Sequence, residues 1–135
     1  HPDILFVVSA GNDGRNLDQA PVFPAALPLE NMVTVTSSDD FGRIGRGSNV
    51  RAGTVDIMVP AERVGVFDHR GVRDETGGTS YAAPRVAGLA MRFLAANPEA
   101  STADIIAFLV SRTRPASGAP LVHGWIPDPS DDFGF

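Results

Sequence analysis

Gly77-Gly78-Thr79-Ser80-Tyr81-Ala82-Ala83-Pro84-Arg85-Val86-Ala87-Gly88 joins a small-residue turn to a strongly apolar helix. The helical pattern runs to about Asn97, where Pro98 forbids continuation. Its only charged residues, Arg85 and Arg92, stand seven apart and share one stripe. The composition of the rest predicts a helix buried almost all round. Ala82, Ala83, Ala87 and Gly88 permit close packing against strands, and Pro84 is expected in about the first turn, where a missing N–H costs little. Ser80 falls where a helix N-terminus offers unpaired N–H groups and positive partial charge. Two roles fit it: an N-cap on a buried helix, or a nucleophile whose attack creates an oxyanion.

Upstream, Leu5-Phe6-Val7-Val8-Ser9-Ala10-Gly11-Asn12-Asp13-Gly14 reads as a strand ending in a polar turn. The run Ile4–Val8 is continuous and β-branched, as in a parallel strand buried on both faces. Met32–Thr36 is a second strand and Val55–Val59 a third, stopped by Pro60. Asn16–Leu29 carries Pro21, Pro24 and Pro28 and is loop, as is the polar, Gly-rich Ser37–Arg51. Asp68-His69-Arg70, between Val64–Phe67 and Gly71–Arg73, predicts a hairpin or tight reversal. Ser101-Thr102-Ala103-Asp104 resembles a capping box opening a second helix, with Ile105, Ile106, Phe108 and Leu109 on its apolar side. Arg112 and Arg114 are placed at its end, favourably to the helix dipole. Residues 115–135 read as a loop-rich tail. Strands alternating with helices predict an α/β fold with a mainly parallel sheet.

The chain has 135 residues, enough for one core, with 43% hydrophobic and 20% charged residues, as in a globular protein. A net charge of −5 argues against nucleic acid as a partner. All 11 basic residues are arginine, for which there is no functional account. No cysteine is present, which excludes disulfides and thiolate metal sites. No apolar run reaches the roughly 18 residues that would cross a membrane.

Together the Asn12 and Ser80 segments resemble the subtilisin-like serine proteases, the subtilases. That family carries an A-G-N strand end, matched by Ala10-Gly11-Asn12, and a G-T-S-x-A-x-P-x-V-A-G helix, matched from Gly78 to Gly88. Phe23-Pro24 resembles its aromatic-Pro pair, often a cis peptide, and Val55–Pro60 its V-D-I-x-A-P strand. The resemblance runs from about Ile4 to Thr113. It implies a partial subtilisin-like domain, residues 1–135 forming a single incomplete domain around a central helix that starts at Ser80. It further implies Ser80 as nucleophile, Asn12 as side-chain oxyanion donor, and Ser9, Ala10 and Gly11 as one wall of the primary specificity pocket. The family's Asp and His precede these segments, and His1-Pro2-Asp3 matches neither D-[ST]-G nor H-G-T. The chain is therefore expected to be the C-terminal portion of a catalytic domain, inactive alone, and Asp132–Phe135 resembles the start of a glycine-rich motif near the family's end.

Other features compete with this assignment. His123 with Asp104 or Asp128 has the chain order of an α/β-hydrolase triad, but the polar Arg73–Thr76 is a poor approach strand for its nucleophile elbow. His69 reads as an exposed turn residue. Asp39-Asp40 and Asp131-Asp132 lack the spacing of a calcium loop and read as solvated charge, so no metal or cofactor is assigned, although calcium is common in the family. The resemblance implies a polypeptide substrate and favours a secreted protein. It also predicts apolar faces left uncovered around Ile4–Val8 and the Ser80 helix, met by the missing N-terminal part or by self-association. The alternative function is a non-catalytic scaffold or peptide-binding module.

Overall fold

The computed structural model describes residues 1–116 and 118–129. Four strands form a parallel sheet: β1 (Phe6–Ser9), β2 (Met32–Ser38), β3 (Ile57–Pro60) and, late in the chain, a short fourth. Between β3 and the helices lies a separate antiparallel hairpin, β4 (Val64–Phe67) and β5 (Arg73–Thr76). Helices α1 (Thr79–Ala96) and α2 (Thr102–Ser111) follow, and β6 (Gly124–Trp125) completes the sheet in the order β1-β2-β3-β6.

The core lies between sheet and helices. Val33, Val35, Ile57 and Val59 meet Ala82, Val86 and Leu89 of α1 and Leu109 of α2. The α1 residues recur at i, i+4 and i+7, one face of a helix. A second cluster joins Ala10 to Leu17, Ala25 and Val55. The Ser101–Asp104 box forms as predicted: the Asp104 N–H donates to Ser101 Oγ and the Ser101 N–H to Asp104 Oδ2. Phe23-Pro24 is a cis peptide, as its motif suggests.

Several expectations are corrected. β2 continues to Ser38, because Ser37 and Ser38 pair with Val59 and Pro60 and Ser37 Oγ donates to the Glu62 carboxylate. β3 includes Pro60. The Ala61 N–H donates to Ser38, so alternation turns position 60 away from β2, beyond the point where β6 has ended. The tail contributes β6, too short for periodicity to reveal. Arg112 is the residue capping α2, its guanidinium over the Phe108 ring, while Arg114 leaves the helix and exchanges backbone bonds with Trp125. Pro84 is the sixth residue of α1, so its missing N–H deprives the Ser80 carbonyl of its helical donor.

Nor is α1 buried all round. Met91 is 70% exposed and Leu94 38%. With Ala87 they form a second apolar stripe at i, i+4 and i+7. This stripe lines a groove with Ile4, Leu5 and Val7. β1 is an edge strand, and Phe6 is 42% exposed on its other face rather than buried. Asp131-Asp132 and Asp132–Phe135 lie outside the described residues.

Candidate active site

Parallel strands bring their C-terminal ends to one edge, and loops leaving that edge are where α/β proteins build sites. The turn after β1 and the start of α1 meet there. Gly78 precedes α1 with φ 123° and ψ 173°, a conformation open only to glycine, and its N–H donates to Ala61 O after β3 at 2.8 Å. This contact sets where α1 begins. Ser80 becomes the second helical residue, exposed, in the turn whose N–H groups have no helical acceptor. Ser80 is not the N-cap, a position held by Gly78 without a side-chain cap.

Asn12 reaches the same place from β1. Its Oδ1 accepts the Thr79 N–H at 2.9 Å, and a Cβ on Gly78 would stand 3.0 Å from that oxygen. In return the Gly11 N–H donates to Thr79 Oγ1 at 3.1 Å. The residue before Ser80 and the residue before Asn12 are therefore locked to each other. With its only acceptor engaged, the exposed Asn12 side chain has its Nδ2 donor to offer beside Ser80. Ser9 and Gly11 are half-buried, whereas Ala10 is wholly covered, its N–H on Val35 and its carbonyl on the Asn49 side chain. Of the predicted pocket wall, only Ser9 and Gly11 present surface.

The three histidines lie elsewhere. His123 starts the β6 approach at the opposite end of β3, its N–H on Asp56 O. Burial holds the Asp56 carboxyl above the ordinary carboxylate range, against the Thr34 N–H and the nearby His123 charge. His69 occupies the tip of the β4–β5 hairpin, away from the strand ends that lead to Ser80. His1 adjoins Asn31, before the N-terminal end of β1. Among the described residues no three His, Asp or Glu side chains gather as a metal site. Asp39 spends its carboxylate on the Arg43 N–H first and then on the Arg43 side chain and the Phe41 N–H, which hold it below the usual range. Sequence reasoning missed Asn49, a wholly buried amide behind the Asn12 turn; its only signal was an amide within an otherwise polar loop.

The fold has counterparts among known proteins. The model of the Subtilase family matches residues 1–125. A cuticle-degrading serine protease of Orbilia oligospora is 33% identical over 129 residues, covering 92% of this chain and 28% of its own length. Alkaline serine exoprotease A of Vibrio alginolyticus is 32% identical over 110 residues, covering 81% and 20%. The chain thus spans about a quarter of the curated relatives it matches. A cold-adapted subtilisin-like serine proteinase superposes with a TM-score of 0.78 at 25% identity, over 92% of this chain and 45% of that one. The A-subunit of an AB5 toxin from E. coli gives 0.78 at 22% identity, over 95% and 49%. With a family match over nearly its whole length and a parallel sheet ending where Asn12 meets the Ser80 helix, the chain belongs to the subtilase family of serine proteases.

Proposed function

We propose that this chain supplies the nucleophile and the oxyanion donor of a serine endopeptidase. Ser80 attacks the scissile carbonyl, and the Asn12 Nδ2 and the Ser80 N–H receive the oxyanion. The observation that carries this is the Asn12–Thr79 bond, which seats an outward amide beside an exposed serine at a helix N-terminus. A serine hydroxyl needs a base to take its proton. His1, His69 and His123 all stand away from the strand ends beside Ser80, so the base and its orienting acid come from outside these 135 residues. The polypeptide substrate lies against Ser9 and Gly11. The relatives' names, a cuticle-degrading protease and an exoprotease, favour work outside the cell. The groove between β1 and α1 takes the covering segment, or a second copy where that segment is lacking.

Fluorophosphonate labelling read by intact mass tests the reading. The full-length protein takes one label, its Ser80→Ala variant none, and the isolated 135-residue chain none. Labelling of the isolated chain that depends on Ser80 would place the base within it and overturn the assignment of the base.

A further inference from the structure

Asn49 stands behind the Asn12 turn, wholly buried and with every polar group engaged. Its Nδ2 donates to Ala10 O at 2.9 Å. Its Oδ1 accepts from the Asp13 N–H at 3.1 Å and the Arg15 N–H at 2.8 Å. Its own N–H donates to Gly11 O at 2.9 Å, and its carbonyl accepts from Thr36 Oγ1 at 2.7 Å, which ties the amide back to β2. The orientation of the amide is set by its partners, since two N–H groups face one end and a carbonyl the other.

The residues it holds are 10, 11, 13 and 15, on both sides of Asn12 and never Asn12 itself. The grip is tight. A Cβ on Gly11, whose φ is +96°, would stand 2.7 Å from Asn49 Nδ2. On the other side the same turn is held by Thr79, through the Gly11 N–H and Asn12 Oδ1. A turn leaving a strand end is ordinarily among the more mobile parts of a fold. This one is clamped between a buried amide and the helix that carries the nucleophile. An oxyanion donor must be held to within about half an ångström, and a side chain one residue beyond a loose turn would not be.

We infer that Asn49 is a positioning residue for the reaction: it fixes the Gly11–Asp13 backbone and, through it, the Asn12 amide. The inference rests on the assignment of Ser80 and Asn12 proposed above. Asn49 contacts no reacting atom and acts only through Asn12. Asn49→Asp keeps the shape and the two accepted bonds but sets an oxygen against Ala10 O. Asn49→Ser, small enough to admit a water, guards against misfolding of the first variant.

The test is turnover of a peptide anilide by the full-length protein, with kcat expressed per site titrated by a fluorophosphonate. Both Asn49 variants should lose about 10²-fold in kcat with KM little changed, as expected for misplacement by about an ångström. In an Asn12→Ala background the same substitutions should cost less than roughly threefold, because the group they position is gone. A purely structural Asn49 would lower the titrated fraction or the melting temperature and leave kcat per site intact, and that result overturns the inference. So does a loss that simply multiplies with that of Asn12→Ala. Turnover that survives Ser80→Ala would instead sink the assignment of the nucleophile, whatever the Asn49 variants do.

Discussion

Gly78→Ala tests whether one glycine sets both the start of α1 and the place of Asn12. Its φ of 123° with ψ of 173° is a region closed to residues with a Cβ, at a cost of about 1–3 kcal/mol. The new methyl would also stand 3.0 Å from Asn12 Oδ1. Moving that oxygen loses its bond from the Thr79 N–H, about 0.5–1.5 kcal/mol more. Together these come to about 1.5–4.5 kcal/mol. Gly71→Ala is the control. Its φ is +77°, and a Cβ there meets nothing within 4 Å, so only the left-handed penalty of about 1–2 kcal/mol applies. Urea unfolding of the full-length protein reads both. With a slope of about 2 kcal/mol per molar, Gly78→Ala should lower the midpoint by about 1–2 M, and Gly71→Ala by less than about 1 M. The displaced Asn12 should also cost Gly78→Ala about tenfold or more in kcat, with Gly71→Ala unchanged. Equal midpoint shifts together with normal turnover by Gly78→Ala would refute the reasoning.

Leu89→Ala removes a wholly buried side chain between α1 and the sheet and should cost about 2–5 kcal/mol in urea unfolding, whereas a loss under 1 kcal/mol would mean that α1 is not seated as described. In the isolated chain, Met91→Glu with Leu94→Glu should convert a self-associating species into a monomer by light scattering; a wild-type chain that is already monomeric at high concentration would show that the groove does not drive association. The Asp104 carboxyl is held below its ordinary value by the Ser101 hydroxyl first and the Ser101 N–H second. Its folded state therefore binds fewer protons than its unfolded state over that interval, so the capping box adds stability above the ordinary carboxylate value and loses it as pH falls through the lower folded value. Asp104→Asn should flatten that acid limb of the midpoint-versus-pH curve, and an unchanged limb would count against the box.

The elements legible in the sequence were those whose signal is local. The capping box, the 3.6-residue stripe of α1, the β-branched runs and the cis Phe23-Pro24 are each written in a few adjacent residues. The elements that escaped are set by partners far along the chain. Ser37 and Ser38 are poor strand residues taken into β2 by pairing with β3 and by Glu62. β6 is a strand because the His123 and Gly124 N–H groups find Asp56 O, and the Ile126 N–H finds Met58 O. The candidate site divides in the same way. Ser80 and Asn12 stand in recognisable motifs, but Asn49 is separated from the turn it grips by more than 30 residues and carries no pattern of its own.

The expectation that α1 would be buried almost all round went wrong for a reason that bears on function. Composition reports how much apolar surface a helix has, not what covers it. α1 carries two apolar stripes, and the sheet accounts for only one. The other, Ala87, Met91 and Leu94, faces a groove beside the free edge of β1. An uncovered stripe and an unpaired strand edge at the same place are complementary deficits, since one segment carrying a strand and an apolar face would satisfy both. That edge also ends at Ser9–Asn12 and so leads to Ser80. The groove itself lies toward the other end of α1, against Ile4, Leu5, Val7 and the α1–α2 turn, so a segment covering it would reach Ser80 only by following the length of that edge.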